Sequence, residues 1–273
     1  MSDSKLSLFE QVVSISNTKY IDHCKKKKVK KSFVKLLNEN DRVERKKIWN
    51  SNFASFSFNE ISNPYFLGTG NPKSEILIIG KELGFDKENN CQFYNEVVQN
   101  SFDWKELLQE KNIVVPDYYN PRKPYNGHYL GLPSGHTWRK YNMVVSMIIN
   151  KTCNLDNSFF NYCFLTEFNI LPSKYSNGKH KLSEERKEFL KHDFFKSFKY
   201  IILTYKAYDK DNPYLTEKIF DVNFIKHNHF GKQAYFFYKN AEEKRTVILT
   251  NQLSGMAGWT DDELQQLSNL LKQ

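Results

Sequence analysis

The chain has 273 residues, 40% of them hydrophobic and 15% aromatic, with 22 Phe and 16 Tyr, which is enough apolar mass for a substantial core and excludes a disordered chain. Eleven Gly and eight Pro exclude fibrous and low-complexity classes. The formal charge of +9 is concentrated, because residues 21–50 hold eleven Lys or Arg against four acids, a net +7 that leaves +2 for everything else.

The first residues, MSDSKLSLFEQ, lack the basic start and apolar core of a signal peptide. No apolar run approaches the roughly 20 residues of a membrane helix. A cytoplasmic protein with no membrane partner is therefore expected. Helical spacing predicts helices over 5–16 and 29–38, the second with Phe33, Leu36 and Leu37 on one side. Residues 1–61 thus read as a helical, basic N-terminal extension. Its densest part is Lys25, Lys26, Lys27, Lys28, Lys30 and Lys31. Two readings stand for it: a grip on the phosphates of a polyanion, or the solvated face of a helix.

Turns at Asn63-Pro64 and Gly68–Pro72 precede Glu75-Ile76-Leu77-Ile78-Ile79-Gly80. Continuous apolar runs of this kind form strands buried on both faces of a parallel sheet. Tyr162–Thr166, Tyr200–Thr204 and Thr246–Thr250 have the same character, and helical stretches at 137–150, 183–197 and 214–222 separate them. Gln233–Tyr238 alternates less clearly and reads as an edge strand. A last helix puts Leu264, Leu267, Leu270 and Leu271 on one face behind Thr260-Asp261-Asp262-Glu263, a capping start. The pattern predicts an α/β fold in three layers, with helices on both faces of a central four-stranded parallel sheet, and residues 62–273 as the domain.

In such sheets ligands bind beyond the carboxyl ends of the strands. Four segments follow. In Gly80-Lys81-Glu82-Leu83-Gly84-Phe85-Asp86, two glycines flank a carboxylate, so backbone can approach a ligand over Glu82; the alternative is a turn with an exposed Glu. In Thr166-Glu167-Phe168-Asn169, the Asn169 amide offers both donor and acceptor to a nucleobase edge, or else satisfies loop backbone, and Glu167 fits either role. Asn251-Gln252-Leu253-Ser254 places polar groups where a phosphate or base would sit, or forms an ordinary strand-to-helix loop. Gly131–Tyr141 opens a helix, where Trp138 and Tyr141 offer faces for stacking or simply bury themselves.

Cys24, Cys91, Cys153 and Cys163 stand singly, which fits free thiols in a reducing compartment. Neither a metal nor another cofactor is expected, since His227-Asn228-His229 is a weak ligand spacing.

The four segments, in order, resemble the uracil-DNA glycosylase superfamily. Gly68-Thr69-Gly70-Asn71-Pro72, the apolar strand and Gly80-Lys81-Glu82-Leu83-Gly84 are similar to the start of that family's core. Thr166-Glu167-Phe168-Asn169 looks like its T-N-type segment, and Asn251-Gln252-Leu253-Ser254 takes the place of its H-P-S motif. The likeness spans roughly 62–272. It departs where Leu83 replaces Pro, where Lys81 takes a position that is acidic in one version, and where Asn251 replaces His. The resemblance implies a protein that binds nucleic acid, DNA first, accepts a flipped base and hydrolyses its N-glycosidic bond. It implies Glu82 and Asn251 as catalytic groups. Gly80, Lys81, Gly84, Phe85, Trp138, Asn169, Gln252 and Ser254 would bind the substrate. The alternative on the same fold is a non-catalytic nucleotide- or base-binding module, and a third reading is a protein that docks a partner through its N-terminal helices.

Overall fold

The computed structural model describes residues 2–84, 90–109, 121–122, 135–155, 158–173, 183–206, 214–253 and 257–273. It opens with three helices, α1 (Ser2–Lys26), α2 (Lys31–Asn38) and α3 (Arg42–Asn52). Helix α1 buries Phe9, Val12, Val13, Ser16, Tyr20 and Cys24, a stripe at spacings of three and four. It ends where Lys28 turns into the left-handed region (φ 55°) and Val29 N donates to Cys24 O. Asp41 caps α3 by accepting from Glu44 N at 2.8 Å.

The α/β part runs β1 (Thr69–Gly70), β2 (Ile76–Gly84), α4 (Asn90–Phe93), α5 (Asn100–Gln109), α6 (Gly135–Ile149), α7 (Phe159–Tyr162) and β3 (Cys163–Ser173). It continues through α8 (Glu184–Leu190), α9 (Asp193–Lys196), β4 (Tyr200–Leu203), α10 (Leu215–Phe220), β5 (Asn223–Phe230), β6 (Gln233–Lys239), β7 (Thr246–Thr250) and α11 (Asp261–Leu271). The stretch expected as one helix over 183–197 is two, with His192 capping the second by accepting from Phe194 N at 3.2 Å.

The seven strands among the described residues share one sheet in the order β1-β3-β2-β4-β7-β6-β5. Pairings β3–β2, β2–β4 and β4–β7 are parallel, while β1–β3, β7–β6 and β6–β5 are antiparallel. The sheet is therefore seven-stranded and mixed, with three parallel pairings, where a central four-stranded parallel sheet was expected. Gln233–Lys239 is an inner strand, and β5, which no apolar run announces, takes the edge. Seven of the eight β5 residues are exposed, so burial patterning had nothing to mark there.

Side-chain alternation sends Leu77, Ile79, Phe164, Phe168, Ile201, Leu203, Val247 and Leu249 into one apolar cluster. Helices α1, α5, α8, α9 and α10 complete it through residues such as Phe9, Trp104, Phe189, Phe194 and Ile219. Ile76, Ile78, Leu165, Ile202 and Ile248 enter a second cluster with Val144 and Val145 of α6, Phe159 of α7 and Leu264 and Leu267 of α11. Both sheet faces are thus covered by helices, as continuously apolar strands require. A third cluster, with Tyr20, Phe33, Leu36, Trp49, Phe93 and Val98, packs α1–α3 against α4 and the turn that follows it.

Strand β4 ends at Leu203 opposite Ile79, but β2 and β3 run on together to Gly84 and Ser173. Segments expected to be loops from Gly80 and Glu167 are thus strand, held by backbone pairing that side-chain polarity does not reveal. The pair projects five residues past β4, roughly 15 Å at about 3.3 Å per residue. From β2 the chain passes first to β3 on one side and later to β4 on the other, so the order reverses at the carboxyl end of β2.

Candidate functional site at the carboxyl ends of the strands

At the base of this projection Gly80 pairs with Glu167. A Cβ on Gly80 would lie 2.1 Å from Glu167 Oε2 and 2.5 Å from its Cδ. Gly80 therefore makes room for a carboxylate of the chain itself, a more specific role than open access for a ligand. Tyr141, from α6, puts its hydroxyl 3.3 Å from Thr204 Oγ1, and Thr204 Oγ1 in turn donates to Ile79 O at 3.2 Å. Burial first, and the Glu167 charge second, push the Tyr141 phenol well above its ordinary pKa. A carboxylate, a protonated phenol and a threonine hydroxyl thus gather where β4 ends and β2 and β3 run on past it.

Arg186, from α8, lies behind them at 1% exposure. All its donors are used: Nε and Nη2 donate to Glu167 O (2.9 and 2.6 Å), Nη2 also to Thr166 Oγ1 (2.7 Å), and Nη1 to Phe66 O (2.6 Å) and Pro64 O (3.3 Å). Burial lowers its pKa to about 9, opposed by the Glu167 charge. The guanidinium fixes the middle of β3, at Thr166 and Glu167, to the 64–66 segment. Sequence reading missed it, because a single Arg in a charged helix carries no mark of burial.

Further along the projection Glu82 and Asn169 are Cα partners, followed by a register shift before Gly84 pairs with Ser173. Asn169 is 2% exposed, and its Oδ1 accepts from Leu171 N at 3.2 Å. It borders a cavity of about 510 Å³ together with His23, Lys27, Glu60, Ser183 and Glu185. That volume is in the range of small-molecule sites. His23 Nδ1 lies 3.0 Å from Glu185 Oε2 on its wall. With Glu184 also on the border, three carboxylates face two cationic or titratable groups, so the interior suits hydrogen-bond donors better than phosphate.

The remaining expected residues fall as follows. Lys81 is buried at 8% exposure. Lys25, Lys26, Lys27, Lys28, Lys30 and Lys31 are all exposed, at the end of α1, the turn after it and the start of α2. Among the described residues Lys25 has Asp22 at 4.0 Å. Trp138 is half-buried and packs edge-on against Phe160 (5.7 Å) and Phe159 (6.4 Å), within the cluster of α6 and α7. Asn251 and Gln252 are half-buried past β7. Asn251 Nδ2 donates to Gln233 Oε1 at 3.3 Å, a partner on the β6 side. Two strand spacings separate β7 from β2, about 10 Å. The structure thus brings Glu82 and Asn169 together, while Asn251 shares their end of the sheet and bonds away from them. Phe85 and Ser254 lie outside the described residues. Comparison with protein-family models, curated proteins and solved structures found no match to this chain.

Proposed function

We propose that this chain is a uracil-DNA glycosylase-like protein that binds nucleic acid and accepts a flipped base at the carboxyl ends of its central strands. In this reading the run β3-β2-β4-β7, with its three parallel pairings, is the core sheet of a three-layer α/β/α domain. The observation that carries the proposal is the cavity bordered both by Asn169, in the segment expected to read a base, and by Lys27, in the basic segment. Phosphates would lie outside, on Lys25 to Lys31, and the uncharged base inside, with its N–H donors toward the carboxylate wall. Glu82 would position water or stabilise the cationic sugar. Glu167 is a second carboxylate, at the base of the same projection, near a phenol held in its donor form. The four free thiols accord with a reducing, cytoplasmic setting.

A second reading, a base- or nucleotide-binding module without catalysis, draws support from two hydrogen bonds. Asn251, which stands in place of a histidine, spends its amide on Gln233, and Asn169 spends its carbonyl on Leu171 N. Losing one preorganised donor typically costs about a hundredfold to a thousandfold in rate. Duplexes carrying uracil, hypoxanthine or a thymine mismatch, incubated with wild type, Glu82→Gln and Glu167→Gln, separate the readings. Base release that falls in either variant supports the glycosylase. Saturable binding with no release supports the module, and neither binding nor release refutes both.

A further inference from the structure

The β5–β6 hairpin, residues 223–239, has a composition unlike the rest of the chain. It holds Lys226, Lys232, Lys239, His227 and His229, six aromatic residues, and no Asp or Glu. Among the described residues strand β5 is one of the two edges of the sheet, and all but one of its residues are exposed, including Phe224 at 47% and Ile225 at 52%. Its pairing with β6 opposes Phe224 to Tyr238 and His227 to Phe236, with a bulge between Phe224 and Lys226. The bulge brings Phe224, His227 and His229 onto one face. There His227 stacks on Phe236 with ring centroids 4.4 Å apart and planes at 20°, and His229 follows 5.3 Å away. Lys206, just past the end of β4, brings its Nζ within 5.9 Å of the Phe236 ring. Desolvation, and then the charges of His229 and Lys206, lower the His227 pKa, as an electropositive surface should. At its turn end the hairpin reaches the same strand ends as the cavity, because Gln233 receives the Asn251 amide.

The geometry points to the face of this hairpin that carries Phe224, His227 and His229 as a binding surface for single-stranded polynucleotide, with bases stacked on Phe224 and His227 and phosphates met by Lys206 and His229, while Lys226 lies on the opposite face over the Phe237 ring. Flat aromatic faces beside cations are what sequence-tolerant strand binding requires, and the one carboxylate bonded to this strand among the described residues, Glu217, is engaged by Phe224 N at 2.7 Å. A second copy of the chain fits this edge poorly, since antiparallel pairing of β5 with itself would set Lys226, His227 and His229 against like groups. The surface is separate from the cavity and does not depend on base release.

The test is fluorescence anisotropy of labelled oligothymidylate with the full chain at low salt. Phe224→Ala and His227→Ala should each weaken binding about 5- to 100-fold, the range for losing one stacked base, with unchanged melting temperature. His227→Trp should keep or tighten binding, which a merely structural role would not produce. Lys206→Ala should lower the salt slope by roughly 0.7. Unchanged affinity in both alanine variants overturns the inference. So does equal, His227-dependent binding of polyglutamate or phosphatidylserine vesicles, which would mark a general anion surface. Base release by Phe224→Ala and His227→Ala is scored in parallel. Release without hairpin-dependent binding sinks this inference alone, and hairpin-dependent binding without release in any variant sinks the catalytic reading alone.

Discussion

Gly80→Ala tests whether the glycine in the middle of β2 exists for the carboxylate beside it. Gly80 does not occupy the left-handed region, so alanine brings no backbone strain there. Its Cβ would instead stand 2.1 Å from Glu167 Oε2 and 2.6 Å from Oε1, both well inside ordinary contact. Overpacking of this kind costs about 1–3 kcal/mol. Replacing a strand glycine by alanine returns about 0.5–1 kcal/mol. Because the close atoms are the far end of the Glu167 side chain, which can turn aside, the single variant should lose between about 0 and 2.5 kcal/mol. In a Glu167→Ala background the clash vanishes, and Gly80→Ala should be neutral or stabilise by up to about 1 kcal/mol. The double-mutant cycle, read by urea unfolding with the four tryptophans as probes, should give a coupling of about 1–3 kcal/mol. Equal effects of Gly80→Ala with and without Glu167 would refute the reasoning. Because the displaced group is the Glu167 carboxylate, the same variant should also impair whatever chemistry the strand ends perform.

Thr260 and Glu263 form a full capping box at the start of α11, so Thr260→Ala should cost about 1 kcal/mol by urea unfolding. Arg186→Lys keeps the charge but loses the fork that serves Pro64 O, Phe66 O, Glu167 O and Thr166 Oγ1. At about 1–3 kcal/mol per orphaned group, it should destabilise by several kcal/mol, and a loss under about 1 kcal/mol would contradict the role given to it. Asp103 is buried, and desolvation pushes its carboxyl up to about 7 against the pull of Arg42 and Arg45. The folded state then holds a proton that the unfolded chain releases, so this group's contribution to stability is full below about pH 4 and is lost as pH rises to about 7. Relative to wild type, Asp103→Asn should gain up to about 4 kcal/mol between pH 4 and 7, and a difference independent of pH would contradict the assignment.

The parts of the fold legible in the sequence are those in which burial writes a pattern. Ile76–Ile79, Tyr200–Leu203 and Val247–Leu249 are apolar on both faces because helices cover both, and the Leu264–Leu271 stripe records one covered face. Helix α3 buries Arg45 and Trp49 among charged residues, so its periodicity is hidden by an arginine whose donors serve Gln99 Oε1, Glu39 O and Asn40 O. Strand β5 has no buried face to advertise. The projecting ends of β2 and β3 carry Glu82, Glu167 and Asn169, and backbone pairing, which leaves no trace in side-chain polarity, makes them strand. Asn169 stands out in the sequence as an amide after an apolar run, and the structure places it on the border of the cavity. The Gly80–Glu167 fit depends on cross-strand register, and Arg186 reaches β3 from a separate helix, so neither is written locally.

The packing of α1 decides how the basic segment can be probed. Phe9 and Val12 are fully buried and Val13 is 4% exposed, and all three belong to the cluster that also holds Leu77, Phe164 and Leu203 of the sheet. Each such side chain is worth about 1.5–3 kcal/mol, so these three alone approach the lower end of the 5–15 kcal/mol that holds a typical domain together. Tyr20, Phe33, Leu36 and Trp49 add a second buried surface against Phe93 and Val98. Deleting residues 1–60 should therefore abolish the cooperative unfolding transition rather than release a folded α/β unit. A truncated chain that melts cooperatively would show the helices to be dispensable after all. Loss of a ligand or partner on truncation consequently says nothing about Lys25 to Lys31. Charge reversal at these exposed positions leaves the buried stripe intact, and the salt dependence of nucleic-acid binding then isolates their share: each phosphate contact removed from a duplex should lower the slope by about 0.9.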